Sequence, residues 1–152
     1  MSAILEIDHK KTLKVLEELI KINSVNPSLE ESQGEAEIAN YIGDYLKRLG
    51  LQVFHQELDK NRANVVGTIK GKGGGKSLIL NGHIDTVGIE GMEIKPLEPS
   101  FKDGKVYGRG SYDMKCGLAV MMMLAETIMK SGVKLKGDLI FQFVADEEYK
   151  SI

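Results

Sequence analysis

Apolar residues recur at helical spacing in three stretches of the chain, 8–22, 35–49 and 115–130. In the first stretch the repeat consists of Leu13, Leu16, Leu19 and Ile20. Asp8 stands where a side chain commonly caps the start of a helix, and Gly50 follows the second stretch, as glycine often does at a helix end. The pattern therefore predicts three helices.

Short apolar or alternating runs predict the strands, which cover residues 51–58, 63–71, 77–82 and 138–145. Between the last two runs, a long segment rich in glycine and proline contains strand fragments around Phe101 and Val106. Long irregular segments inside compact domains are commonly functional, so this one is expected to line a site. The order of elements predicts an α/β sandwich.

Two further expectations concern the ends of these strands. The stretch KGKGGGKS (70–77) departs from a phosphate-binding loop at Lys70, and a strand follows it, so a mobile hairpin turn is predicted instead. The run 138–145 is continuous, as in a central strand covered on both faces. Because only DEEYKSI follows it, the chain looks truncated, and an exposed edge or face is expected along this run.

Composition narrows the class of protein. The chain has 152 residues, of which 42% are hydrophobic and 28% charged, so one folded domain or part of one is expected. A net charge of -2 without a basic stripe argues against nucleic acid as a partner. The start of the chain is too acidic for a signal peptide, and no run is long enough to span a membrane. The single cysteine, Cys116, fits a reducing compartment, so the cytoplasm is the expected location.

Three short motifs carry residues suited to chemistry. His83 and Asp85 lie two apart after an apolar strand, which suits an imidazole metal ligand oriented by a carboxylate; taken alone, the pair favours the alternative of a histidine beside a turn-capping aspartate. Asp113 precedes a predicted helix and could simply cap it. Glu147 and Glu148 follow the predicted central strand, where open α/β sheets place their sites, although a capping or surface role is the alternative. Together these residue types suit zinc or a similar divalent ion.

The segments HID, GRGSYDMKCG and DEE, taken together, resemble the co-catalytic metallopeptidase family of acetylornithine deacetylase, succinyl-diaminopimelate desuccinylase, aminoacylase and glutamate carboxypeptidase. The resemblance implies a three-layer sandwich with a mixed central sheet. It implies that His83 and Glu148 ligate separate metal ions, that Asp113 bridges them and that Asp85 supports His83. Glu147 would be the general base in hydrolysis of an amide bond.

The resemblance also implies what the chain lacks. Residues 1–152 would be the amino-terminal portion of a catalytic domain, without the lid and dimerisation domain or the carboxy-terminal ligands. The complete protein would be a homodimer with two zinc ions, or cobalt or manganese, acting on N-acyl amino acids or short peptides. The alternative is a truncated, non-catalytic fragment that folds or self-associates. Cys116 departs from the usual glycine and is expected to be a packing residue rather than a weak metal contact.

Overall fold

The computed structural model of the chain describes residues 5–59 and 61–151. Within these residues the three predicted helices are present together with six strands. In chain order the elements are α1 (His9–Lys21), α2 (Ala36–Arg48), β1 (Gln52–Asp59), β2 (Arg62–Ile69), β3 (Leu78–His83), β4 (Ser100–Lys102), β5 (Lys105–Tyr107), α3 (Lys115–Ser131) and β6 (Leu139–Val144). The predicted order of elements is confirmed.

Helix α1 begins directly after Asp8, the residue that the sequence predicts as its cap. The Asp8 carboxylate accepts the main-chain N–H of Lys11 at 3.0 Å, and the helix ends at Lys21, because Ile22 is extended. One part of the predicted apolar repeat is wrong: Leu13 is 41% exposed, and Val15 is buried on the core face instead. The repeat therefore located the helix correctly but placed its buried face slightly wrongly.

The main sheet has four strands in the order β1-β2-β6-β3. Strand β6 runs antiparallel to β2 and parallel to β3, so the sheet is mixed, as the resemblance implied. The run 138–145 does supply a central strand, and both of its edges are paired. The expected exposed edge belongs to β3 instead, where Leu78 and Ile79 are exposed.

Helices α2 and α3 pack on the same face of this sheet. Gly67, Phe141 and Leu80 are aligned across β2, β6 and β3, and Gly67 approaches Leu46 of α2. Gly82, two residues beyond Leu80 on the same face of β3, approaches Leu118 of α3. Helix α1 packs against α3. Most of the fully buried core residues come from the helices and from β6, and they include Leu19, Ile20, Ile38, Ile42, Leu118, Met122, Phe141 and Phe143.

The other face of the sheet is less covered by the described residues. Along β6, Leu139, Phe141 and Phe143 are buried, whereas the alternating residues Ile140, Gln142 and Val144 are half-buried. The described part of the chain thus supplies two of the three expected layers. Helix α3 carries the methionines at 121–123, which are buried. Among the helices that the structure describes, none is both long and apolar enough to cross a lipid bilayer.

The glycine-rich stretch 70–77 is not a hairpin, so that prediction is wrong. It joins β2 to β3, and β6 lies between these two strands. The connection instead passes close to the segment before β6: a Cβ on Gly71 would lie 2.4 Å from the main-chain oxygen of Gly137. Glycine is required here because two stretches of backbone are in contact.

Candidate metal centre

The candidate site lies at the edge of the sheet where the parallel strands β3 and β6 end. His83 is the last residue of β3 and is aligned with Val144, the last residue of β6. Residues 145–148 follow β6 directly, so both motifs reach the same edge. Open α/β sheets place ligands at the carboxyl ends of parallel strands, and this location was predicted from the sequence.

Three of the predicted residues lie together at this edge. His83, Asp113 and Glu148 each offer one donor atom, and these atoms lie within 4.8 Å of one another. The Nε2 atom of His83 is 3.1 Å from Oδ1 of Asp113 and 3.7 Å from Oε2 of Glu147. His83 is buried, Glu148 half-buried and Asp113 exposed, so the group is open to solvent on one side.

The surroundings of His83 orient its ring and favour positive charge. Its Nδ1 lies 3.1 Å from the main-chain oxygen of Asp85 and 3.5 Å from the Asp85 carboxylate, so an Nδ1–H tautomer leaves Nε2 facing Asp113. Burial by itself would lower the pKa of His83, whereas hydrogen bonds with Asp85 and Asp113 raise it to about 9. An environment that stabilises a cation on the ring would also stabilise a metal cation beside Nε2.

The Asp85 carboxylate supports the glutamates more directly than it supports the imidazole. One oxygen accepts the main-chain N–H of Glu147 at 3.1 Å, and the other accepts that of Glu148 at 3.0 Å. Burial would raise the pKa of Asp85, but hydrogen bonds from His83, from Asn26 and from these two N–H groups lower it. Asp85 therefore remains a charged acceptor that holds the chain after β6.

The two glutamates have different environments, as their adjacent positions predicted. Glu148 belongs to the donor group, and its pKa is raised by burial and by the nearby carboxylates of Asp113, Asp85 and Glu147, although His83 acts in the opposite direction. The Glu147 side chain is 56% exposed and lies at the open side of the site.

Asp113 does not cap α3. The N-cap residue is Met114, which has no side-chain capping hydrogen bond, and the Asp113 side chain is 69% exposed beside His83. The thiol of Cys116, in the first turn of α3, donates to the main-chain oxygen of Tyr112 at 2.9 Å, and the side chain packs against the core. This contact supports the packing interpretation of Cys116.

Sequence reasoning missed four buried polar residues behind the site: Asn26, Glu35, Arg62 and Asp146. No role was predicted for the stretch that contains Asn26, and none was predicted for Asp146 in the DEE motif. A usable signal was an asparagine directly before Pro27, a pair that favours a turn stabilised by the asparagine side chain.

Fold and site together combine a mixed sheet with a histidine and carboxylates that could hold a metal ion, gathered at the carboxyl ends of its parallel strands. Residues 79–151 match the family described as peptidase family M20/M25/M40. The resemblance drawn from the three motifs is thus confirmed, and the relatives of this family are metal-dependent hydrolases.

Two curated relatives illustrate the match. The N-formyl-4-amino-5-aminomethyl-2-methylpyrimidine deformylase of Bacillus subtilis is 33% identical over 147 residues, covering 93% of this chain and 34% of that protein. The succinyl-diaminopimelate desuccinylase of Leptothrix cholodnii is 33% identical over 146 residues, covering 92% of this chain and 37% of that protein. The chain therefore spans about a third of the length of these relatives.

A solved structure agrees on the fold. Human carnosine dipeptidase 1 superposes with a TM-score of 0.78 at 22% identity, over 94% of this chain and 33% of that one. At this identity the comparison supports the arrangement of helices and strands alone. It confirms the mixed α/β architecture, and the chain spans about a third of the length of that structure.

Proposed function

We propose that residues 1–152 form the amino-terminal portion of the catalytic domain of a metal-dependent amidohydrolase that acts on N-acyl amino acids or short peptides. The observation that carries the proposal is the cluster of His83, Asp113 and Glu148, whose donor atoms lie within 4.8 Å of one another at the expected edge of the sheet. All three residues lie within residues 79–151, the segment that matches the family model.

The donor set suits zinc, with cobalt or manganese as alternatives. Zinc binds imidazole nitrogen and carboxylate oxygen, and the Nε2 of His83 is the ring nitrogen that Asp85 leaves available. The resemblance implies that His83 would hold one ion and Glu148 the other, and that the exposed carboxylate of Asp113 would serve both. The resemblance implies that further ligands come from other parts of a longer protein.

Bound divalent ions would polarise the amide carbonyl and acidify a water molecule at the site. Glu147 is suited to receive the proton of that water on a carboxylate oxygen and to deliver it to the departing nitrogen. Its main chain is held by Asp85, whereas its side chain extends toward solvent at the open side of the cluster. A fixed backbone with an accessible carboxylate is what a general base requires.

The substrate class rests on the relatives. A deformylase and a desuccinylase among them favour removal of an acyl group from nitrogen, and the family description favours peptides as well. A homodimer and a cytoplasmic location, expected from the sequence, remain predictions.

The test uses the full-length protein that contains this chain. Metal analysis should find a divalent ion in the purified protein, and a panel of N-formyl, N-acetyl and N-succinyl amino acids and dipeptides should include at least one hydrolysed substrate. A Glu147→Gln protein prepared in parallel excludes a contaminating hydrolase. Metal-loaded protein that cleaves no member of the panel would contradict the proposal and favour the non-catalytic alternative.

A further inference from the structure

A buried series of hydrogen-bonded side chains leads from α2 to the turn that carries the two glutamates. Each of its members is at most 8% exposed. We call this series the buried network, and it consists of Glu35, Arg62, Asp146, Asn26 and Asp85.

Arg62 forms the rigid end of the buried network. Its Nε and Nη2 atoms donate to the two carboxylate oxygens of Glu35 at 2.9 and 2.8 Å, and Nη2 also donates to Oδ1 of Asp146 at 2.6 Å. A guanidinium held by two oxygens of one carboxylate has a fixed plane. Arg62 on β2, itself held by Glu35 at the start of α2, therefore fixes the position of the Asp146 carboxylate.

Asn26 connects the two halves of the network. Its Oδ1 accepts the main-chain N–H of Ser28 at 3.0 Å, which fixes the orientation of the amide. Its Nδ2 then faces two carboxylates, donating to Oδ2 of Asp85 at 2.8 Å and to Oδ1 of Asp146 at 3.0 Å. One amide group thus supplies a hydrogen bond to each of two buried carboxylates that would otherwise repel each other.

The turn at 146–148 is held on both sides by these contacts. Asp146 has a φ of 69°, an uncommon conformation for a residue with a side chain, so its surroundings must hold it there. Asp85 accepts the main-chain N–H groups of the next two residues, Glu147 and Glu148. The orientation of the turn depends on where the carboxylates of Asp146 and Asp85 lie relative to each other, and Asn26 contacts both.

We infer that Asn26 is a positioning residue that fixes the separation of Asp85 and Asp146 and thereby presents Glu147 and Glu148 at the metal centre. The effect on the backbone of the turn stands independently of any activity. The effect on metal binding and hydrolysis rests on the proposed function.

The test compares Asn26→Ala with Asn23→Ala in the full-length protein. Asn23 is a matched control because its Oδ1 accepts the main-chain N–H of Val25 at 3.1 Å, a turn of the same type in the same segment. The first readout is amide hydrogen exchange at Glu147 and Glu148. The second is zinc affinity, measured by competition with a chelator, and the third is kcat and KM for the best substrate of the panel.

Asn26→Ala should accelerate exchange of the two amides about tenfold or more, because Asp85 is no longer held in place. Zinc affinity should fall about 10–100-fold, as when other groups that support metal ligands are removed. The loss of activity should appear in kcat more than in KM. Asn23→Ala should change none of the three.

Asn26→Asp separates the proposed role from a general loss of folding. Aspartate keeps the size of the side chain and the oxygen that accepts the Ser28 N–H, but it removes the donor to the two carboxylates. It should accelerate exchange at Glu147 and Glu148 while leaving exchange at Ser28 unchanged. Unchanged exchange at the two glutamates in this variant would overturn the inference.

The outcomes also separate the inference from the proposed function. A wild-type protein that neither binds zinc nor hydrolyses the panel, but shows the predicted exchange differences, would refute the proposed function and support the role of Asn26. If the wild-type protein binds zinc and is active, but Asn26→Asp and wild type exchange these amides at the same rate, the proposed function is supported and the role of Asn26 is refuted.

Discussion

The Nε2 atom of His83 lies 3.1 Å from Oδ1 of Asp113, although thirty residues separate them in the chain. The intervening segment leaves β3, forms the β4–β5 hairpin and returns to the start of α3. Lys115 anchors this return, because its buried side-chain nitrogen donates to the main-chain oxygen of Ile22 at 2.8 Å. The long irregular segment thus ends at the site, where Asp113 belongs to the donor cluster.

Glu147→Gln in the full-length protein should reduce kcat by several orders of magnitude and leave the zinc content nearly unchanged. The amide keeps the shape of the carboxylate but cannot accept a proton. Glu148→Gln is the matched variant and should reduce zinc content, because Glu148 belongs to the donor cluster. Metal analysis and steady-state kinetics distinguish the two. A Glu147→Gln protein with more than about a tenth of wild-type activity would refute the assignment of the base.

Asp85→Asn should weaken zinc affinity or activity about 10–100-fold. The new amide NH₂ cannot accept a hydrogen bond, so the N–H of either Glu147 or Glu148 loses its acceptor. Chelator competition and kcat measure the effect. Asp138→Asn is the control, because Asp138 accepts hydrogen bonds from Lys70 and Gly71 at the opposite end of β6. Equal zinc affinity and kcat in Asp85→Asn and wild type would leave Asp85 only a turn-capping role.

The sequence was sufficient to predict the helices and strands and the residues that lie together at the candidate site. Helical periodicity and strand runs depend on local spacing, and the three motifs follow or precede those elements directly. The pairing of the strands could not be predicted in the same way. No local feature of KGKGGGK showed that β6, far along the chain, would lie between β2 and β3. The contact between Gly71 and Gly137 that excludes a hairpin is equally non-local.

The buried network could not be read from the sequence for the same reason. Glu35 and Arg62 are ordinary charged residues in their local contexts, and only the packing of α2 against β2 brings them together. The role of Asp85 was also only partly anticipated. Its spacing from His83 suggested a contact with the imidazole, whereas its carboxylate mainly holds the main chain of the two glutamates, which are distant in sequence.

Glu126 should stabilise the packing of the three helices in a pH-dependent way. Its carboxylate is nearly buried and is contacted by Lys11 of α1, Tyr45 of α2 and Lys130 of α3. Burial would raise the pKa of Glu126, but these hydrogen bonds lower it from 4.5 to about 2. Because the folded-state pKa lies below the unfolded one, the stabilisation is present above about pH 4.5 and is lost as the pH falls toward 2.

Glu126→Gln should therefore lower the free energy of unfolding at pH 7 by about 1–3 kcal/mol, with a smaller difference at pH 3. Urea unfolding of the full-length protein at the two pH values measures this. Glu18→Gln is the control, since the Glu18–Lys21 pair is exposed and should contribute little. A difference between Glu126→Gln and wild type that is the same at both pH values would show that the carboxylate's charge is not responsible.

Residues 1–152 produced as an isolated chain should bind zinc weakly and show no amide hydrolysis. A catalytic zinc usually has three protein ligands and a water, so two ions that share Asp113 need five residues. The described part of the chain supplies His83, Asp113 and Glu148 at the cluster. Calorimetric titration with zinc and the substrate panel would measure both properties. Tight binding of two zinc ions with turnover would show that ligands have been assigned wrongly.

The isolated chain should also self-associate along β3. Strand β3 lies at one edge of the sheet, where no described strand pairs with its outer side, and it exposes Leu78 and Ile79. The opposite edge strand, β1, is less suited to pairing because its register shifts between Glu57 and Asp59, and irregular, charged edges resist association.

Ile79→Lys should restore a monomer, because a charged side chain on an edge strand opposes pairing with a second sheet. Val120→Lys is the matched control: Val120 is 50% exposed, close to the 52% of Ile79, and the substitution adds the same charge on α3 rather than on the edge strand. Sedimentation at about 100 μM should therefore show association of the wild-type and Val120→Lys chains but not of Ile79→Lys. If both lysine variants are monomeric, added charge rather than the β3 edge controls association. If the wild-type chain is itself monomeric, the prediction of self-association is wrong, and the unpaired edge is too short or too twisted to pair.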